Sequence, residues 1–402
     1  MTLQYDIFSI KNEENRKFFY EMLPYVSEYI LSFTLKDSSV EVTYASESHR
    51  SQIESKLGIL KELASQEVID GADNAKTKVL LDRRDVRTQN SQPIFEALQQ
   101  HGAITQFGEG AFAYSKLFLN VMDYFYLKSR ELGLHFSAQE YKFPTLIPLE
   151  TFQRGGYFET FPHHIMFQST IKNDIEVLEQ FTQQGVDEEL LRKMKLSGNV
   201  LKNAACGPIY PMLAHQTLSS KDPHVFLVVG KCFRNEASNI FELARLNEFT
   251  MSEVVFIGTD AQVRQGITQA QKLLWDFWIE LFELNCSIET ASDSFFGGSY
   301  KKLKFFQLMG DSKQELRMLL PQHKQYIACS SANFHRTHFT KRYEIRHEDG
   351  FCHTACIAFG IERLAYAFLS QLGCDPDKWP RKVLEEIERY TSQKAMTRFL
   401  SE

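Results

Sequence analysis

The chain has 402 residues, 43% of them hydrophobic and 24% charged, enough to build one large core and a smaller one. A formal net charge of −6 and the lack of a Lys/Arg-rich block weigh modestly against binding of long nucleic acid, although a local basic patch remains compatible with that total. The opening Met-Thr-Leu-Gln-Tyr-Asp is not a secretory leader, no apolar run is long enough to span a bilayer, and seven scattered cysteines fit a reducing compartment, so a cytoplasmic protein with free thiols and no membrane partner is expected.

In chain order, Phe18 to Tyr29 has helical spacing, Val40-Glu41-Val42-Thr43-Tyr44 alternates like a strand, and Ser51 to Gln66 is helical again, which predicts a small α/β segment. Asp70 to Gln92 is polar apart from the island Val79-Leu80-Leu81 and reads as a connecting stretch. These shifts predict a small N-terminal α/β domain over 1–108 and a larger domain over 109–402. After Gly108-Glu109-Gly110 comes an amphipathic run, Tyr114 to Leu132, and then Phe143-Pro144-Thr145-Leu146-Ile147-Pro148. On pattern alone that is a core helix followed by an edge strand carrying proline.

The densest chemistry follows. Val225 to Glu236 and Leu246 to Gly258 each read as strands, with Ser238 and Asn239 in the polar loop between them, so a hairpin is predicted. Period-two alternation puts Arg234 and Glu236 on one face of the first arm, and Phe249, Met251 and Glu253 on one face of the second. A guanidinium such as Arg234 can hold phosphate oxygens through parallel hydrogen bonds, and a ring such as Phe249 can stack on a base. The plainer alternative is a cross-strand Arg–Glu ion pair beside a core phenylalanine.

A second segment, Gly350-Phe351-Cys352-His353-Thr354-Ala355-Cys356-Ile357-Ala358-Phe359-Gly360-Ile361-Glu362-Arg363-Leu364, lies about a hundred residues on. The two segments together resemble motifs two and three of class II aminoacyl-tRNA synthetases, and the Tyr114–Leu132 helix with its following strand resembles motif one, the dimer-forming element. The resemblance implies an α+β fold, an antiparallel sheet flanked by helices, and a homodimer. It also implies an ATP site made by Arg234, Glu236, Arg245, Phe249 and Arg363: Arg234 on the α-phosphate, Arg245 on the γ-phosphate, Phe249 stacked on adenine, and Arg363 packed on the other side of the nucleotide. Arg234 and Arg363 are the catalytic candidates.

A narrower resemblance joins Gly155-Gly156-Tyr157-Phe158-Glu159-Thr160-Phe161-Pro162-His163, Ala204-Ala205-Cys206-Gly207-Pro208-Ile209-Tyr210-Pro211, Asp293-Ser294-Phe295-Phe296-Gly297 and Ala328-Cys329-Ser330-Ser331-Ala332-Asn333-Phe334-His335. These segments look like amino acid:[carrier protein] ligases, relatives of the zinc-containing seryl-tRNA synthetases of methanogens, over roughly residues 95 to 380. That family activates a small amino acid with ATP and magnesium and loads it onto the phosphopantetheine thiol of a carrier protein. Alternatives are a zinc-dependent seryl-type synthetase that charges tRNA, and a non-catalytic regulatory paralogue.

Within this resemblance Cys206, Glu253 and Cys356 supply two thiolates and a carboxylate for zinc, with one position left open for the substrate's amino group. Taken singly, each cysteine reads as a small buried hydrophobe, and only the trio in its motifs reads as a zinc site. Cys232, Cys329 and Cys352 are rival thiols, and His335, His338 and His353 are read as structural histidines. Three departures stand out. Gly298 replaces an arginine common after Phe-Phe-Gly, while Ala332 and Thr337 stand where an aromatic and an acid are usual. They are expected to alter carrier recognition and the amino-acid pocket. Lys301, Lys302 and Lys304 are read either as a lure for an acidic carrier protein or as a solvated face.

Overall fold

A computed structural model describes residues 1–11, 13–65, 77–293, 307 and 312–400. Strands Thr2–Asp6, Ser39–Tyr44 and Ile30–Leu35 form an antiparallel sheet with Ser39–Tyr44 in the middle. Alternate residues Val40, Val42 and Tyr44 are buried with the helices Glu13–Met22 and Arg50–Ser65. The second helix commits Ile53, Leu57, Leu60 and Ala64 to one stripe, the spacing of a half-buried helix. The first stops at Met22 and passes into a tight turn, Leu23–Tyr25, that carries Pro24.

The larger unit is built on an eight-stranded sheet in the order Val79–Asp82, Cys286–Thr290, Lys313–Leu320, Gln325–Arg336, His353–Gly360, Glu248–Gly258, His224–Phe233 and Gln139–Tyr141. Every neighbouring pair is antiparallel except the last, which is parallel. One face turns Val254, Phe256, Ile357 and Phe359 into a core shared with the helices Lys116–His135, Asp260–Gln271 and Ile361–Leu372. The helix Arg381–Leu400 joins that core through Val383, Ile387 and Tyr390. Alternate residues Val255, Ile257 and Cys356 face the other way, toward Ala205 to Leu218 and Phe339 to Cys352.

Two sequence expectations need correction. Phe143 to Pro148 is not one strand: Gln139–Tyr141 is an edge strand of the large sheet, whereas Leu146–Pro148 pairs in a separate three-stranded sheet with Met194–Leu201, which also pairs with Phe167–Ile171. Pro144 has no N–H for a ladder and biases the residue before it, so the chain leaves the first sheet there. The stretch read as a connector contributes Val79–Asp82 to the large sheet, and Ile94, Leu98 and Ile104 belong to its core. We therefore propose that the small unit ends between Ser65 and Thr77, ahead of the division at 108.

Candidate active site

The hairpin forms as His224–Phe233 and Glu248–Gly258, with Val228 opposite Glu253 and Cys232 opposite Phe249. Regular pairing stops at Phe233, so Arg234 and Glu236 sit just past the strand and not on a shared strand face. Arg234 stays tethered because its N–H donates to the carbonyl of Asn247 at 2.9 Å. Its guanidinium lies over the Phe249 ring, 5.2 Å from the centroid, and its Nε donates to the carbonyl of Asn203 at 3.2 Å. An Arg–Glu ion pair is present, but it joins Arg245 to the buried Glu236 at 3.0 Å.

Arg363 enters from the first turn of Ile361–Leu372. Its Nε donates to the carbonyl of Ala244 at 2.5 Å and a terminal nitrogen to that of Ala328 at 3.2 Å. Burial, with Arg245 nearby, lowers its pKa from the usual value. Beside it, the buried Glu362 carboxylate accepts from the Thr250 N–H at 2.8 Å and the Thr250 hydroxyl at 2.9 Å, and burial pushes its pKa up.

At the other end, the ligand atoms of Cys206, Glu253 and Cys356 all lie within 4.8 Å of one another, and all three residues are buried. Sheet pairing explains the meeting: Glu253 faces Ala358 across the ladder, and Cys356 is two residues away on the same face. The Cys206 loop is clamped to the same point, since Glu253 Oε1 accepts from the N–H groups of Ala205 at 2.8 Å and Cys206 at 3.0 Å. The Cys206 thiol is held well above its ordinary pKa by its contact with Cys356 and by burial. Two buried sulfurs and a carboxylate oxygen within reach of one ion are a donor set that suits zinc, so the residues fit the expected metal.

Further side chains from the segments singled out in the sequence border this cluster. Asn333 sits opposite Cys356 in the ladder and points Nδ2 at its sulfur, 3.7 Å away. His335 places Nε2 3.7 Å from the same sulfur, while its Nδ1 meets the Thr354 hydroxyl at 3.2 Å. Burial pushes the His335 pKa down to about 4, so the ring is neutral at pH 7. Farther along, Lys313 is locked between Asp293 at 2.5 Å and Glu315 at 3.1 Å. Lys313 and Glu315, two apart on one strand, share a face, and the pairing that continues past Thr290 brings Asp293 to the same wall. Gly156, at φ +81°, seats the guanidinium of Arg342, which a Cβ there would approach to 2.6 Å.

One cavity of about 910 Å³ is lined by all eight predicted residues, Arg234, Glu236, Arg245, Phe249 and Arg363 toward one end and Cys206, Glu253 and Cys356 toward the other. Of the rival thiols, Cys329 lines it but turns its sulfur toward the carbonyls of Ile327 and Arg363, and Cys232 and Cys352 lie in the core behind. His338 is on the wall, whereas His353 lies 3.7 Å from Asp260, away from the cavity. Ala332 packs into the helix-side core, so that departure leaves the cavity wall unchanged. Ser294 to Gly298 and Lys301 to Lys304 fall outside the described residues.

A family model described as the tRNA synthetase class II core domain (G, H, P, S and T) matches residues 195–372. The chain is 31% identical over 263 residues to amino acid–[acyl-carrier-protein] ligase 1 of Bradyrhizobium diazoefficiens, covering 63% of this chain and 76% of that one. It is 33% identical over 248 residues to ligase 2 of the same organism, covering 60% and 71%. The type-2 serine–tRNA ligase of Methanothermobacter thermautotrophicus is 30% identical over 265 residues, covering 63% of this chain and 52% of that one, so the chain spans about half the length of that relative. Among solved structures, M. kandleri SerRS, crystallised in complex with A. aeolicus tRNASec, superposes with a TM-score of 0.68 at 22% identity, covering 91% of this chain and 75% of that one. At that identity the superposition shows the fold alone. On the matches to the two ligases, with the antiparallel sheet in agreement, the chain belongs to the class II aminoacyl-tRNA synthetase family, in the group that includes amino acid–[acyl-carrier-protein] ligases and type-2 serine–tRNA ligases.

Proposed function

We propose that this protein activates a small amino acid with ATP as an aminoacyl adenylate and transfers it to the phosphopantetheine thiol of a carrier protein. The observation that carries this reading is the single cavity with a Cys2Glu cluster at one end and three arginines with a phenylalanine at the other. Zinc held by Cys206, Glu253 and Cys356 would supply a Lewis-acid contact for an unprotonated α-amine.

A small substrate bound beside Cys206, Glu253 and Cys356 directs its carboxylate toward the arginines. The carboxylate oxygen attacks the α-phosphorus, a new C–O–P linkage forms, and the bond to the departing pyrophosphate breaks. Arg234 and Arg363 stabilise the charge that grows on the α-phosphate, and Arg245, released from Glu236, takes the terminal phosphate. No protein nucleophile is required. The acceptor thiolate then attacks the activated carbonyl and AMP leaves. Among the described residues, Glu236 is paired with Arg245 and Glu315 with Lys313 and Arg317 before a ligand binds. Magnesium would be carried on the nucleotide's own phosphates.

The carrier-protein acceptor rests on the two carrier-protein ligases, matched at 31% and 33% identity, beside the serine–tRNA ligase at 30%. Residues 1–65 also hold seven Lys/Arg against ten Asp/Glu, a net charge of −3 that is poorly suited to gripping a phosphate backbone. The tRNA reading retains the support of the serine–tRNA ligase matches. Incubation with ATP, labelled amino acid and, in parallel, holo carrier protein, apo carrier protein or tRNA decides between them: label on the holo form alone is expected, and label on tRNA but not on carrier protein contradicts the assignment. The homodimer is likewise proposed. The Lys116–His135 helix buries Phe118, Val121 and Phe125 in its own core and leaves Leu119 and Leu134 outward, and light scattering at twice the chain mass is the expected result.

A further inference from the structure

The N-terminal unit has a core of its own, yet it reaches into the cavity. Its Leu23–Tyr25 turn packs on the short Ala237–Asn239 turn that follows Arg234 and Glu236. The Tyr25 hydroxyl donates to the carbonyl of Asn235 at 2.8 Å, and Asn239 Nδ2 donates to the carbonyl of Glu21 at 3.3 Å. The Tyr25 ring also stands edge-on to His163, 5.1 Å between centroids. Lys17, Glu21, Met22 and Tyr25 line the same cavity as Arg234 and Arg245.

The turn these contacts hold needs holding. Ala237 has φ 47°, a left-handed conformation that a residue with a Cβ adopts at a cost and keeps only when its surroundings fix it. Local bonds supply part of that support: the Ala237 N–H donates to Asn235 Oδ1 at 3.2 Å and the Glu236 N–H to Asn247 Oδ1 at 2.9 Å. The bonds from Tyr25 and to Glu21 come from more than 200 residues away in sequence and link the turn to a separately packed unit.

We propose that Tyr25 is a positioning residue for nucleotide binding: through Asn235 it fixes the turn that presents Arg234 and the Glu236–Arg245 pair, which makes the N-terminal unit a working wall of the nucleotide end. This builds on the reading of Arg234 and Arg245 as the phosphate grip. It gives residues 1–65 a role within the active site that requires no RNA.

Calorimetric titration of the full-length chain with Mg·ATP tests it, comparing the parent protein with Tyr25→Phe, Asn239→Ala and the double variant. Tyr25→Phe keeps the ring and removes one hydrogen bond, and the expected result is about three- to tenfold weaker binding, greater in the double variant. Zinc content and melting temperature are expected to stay at parental values, because the metal cluster lies at the other end and each unit keeps its core. Parental affinity in the double variant overturns the proposal. So does a loss of affinity matched by lower melting temperature and lost zinc, which marks a merely structural contact. A parent protein that binds Mg·ATP but exchanges no pyrophosphate removes the proposed function while leaving the Tyr25 comparison readable, whereas a parent that binds no nucleotide overturns both.

Discussion

The two ends of the cavity are built differently. The Cys206–Glu253–Cys356 end is buried and clamped by sheet register and by two backbone N–H groups on one carboxylate oxygen. At the nucleotide end the arginines are already engaged inside the protein: Arg234 on Phe249, Arg245 on Glu236, Arg363 on two carbonyls. The first end is held by internal contacts alone, while the second would have to exchange internal partners for phosphate under the proposed function. On the proposed function, a rigid end would fix the reacting carboxylate and an exchangeable end would let pyrophosphate leave.

Breaking the rigid end has the largest expected effect. Cys206→Ser removes one of three ligands, so stoichiometric zinc should be lost and adenylation should fall by at least roughly 100-fold, with Mg·ATP binding still measurable. Metal analysis beside calorimetry reads this, and full zinc in the variant sinks the metal assignment. Next comes Arg234→Ala, expected to lower pyrophosphate exchange by about 100- to 1,000-fold with zinc unchanged, the usual cost of losing a charge-stabilising donor. A variant that loses zinc instead shows that the two ends are not independent.

A smaller effect sharpens the contrast through stability. Glu362→Gln disturbs a carboxylate that accepts from both the N–H and hydroxyl of Thr250, and should destabilise by about 1–3 kcal/mol in denaturant unfolding. No change there removes Glu362 as the anchor of the Arg363 turn. The smallest concerns pH. Burial, then the neighbouring His164, depresses His163 to about 3; burial, then Arg234, depresses His164 to about 4. Both lie below the usual 6.5, so between pH 6.5 and about 4 the unfolded chain binds more protons and stability falls on acidification. The drop in melting temperature between pH 7 and pH 5 should shrink in His164→Gln, and an unchanged drop contradicts the assignment.

Much of this was legible in the sequence because it depends on period two. Phe249, Met251 and Glu253 share a face in any strand, and helical spacing at Ile53, Leu57 and Leu60 marks its own buried stripe. What stayed hidden depends on register between distant strands. Nothing local tells that Asn333 pairs with Cys356, or that Lys313, which shares a strand face with Glu315, also meets Asp293. Val79-Leu80-Leu81 looked like a connector because an edge strand needs few apolar residues, and its pairing with Cys286–Thr290 lies two hundred residues away. Arg234 and Glu236 seemed to share a strand face because the alternation pattern does not show where the ladder ends.

The measurement that tests the central claim most directly is amino-acid-dependent exchange of labelled pyrophosphate into ATP by the zinc-replete protein, across proteinogenic and non-proteinogenic amino acids. Exchange with one or a few small amino acids, abolished in Cys206→Ser, is the predicted result. Failure of every amino acid in the panel to drive exchange, with the protein folded and its zinc in place, contradicts an adenylating site.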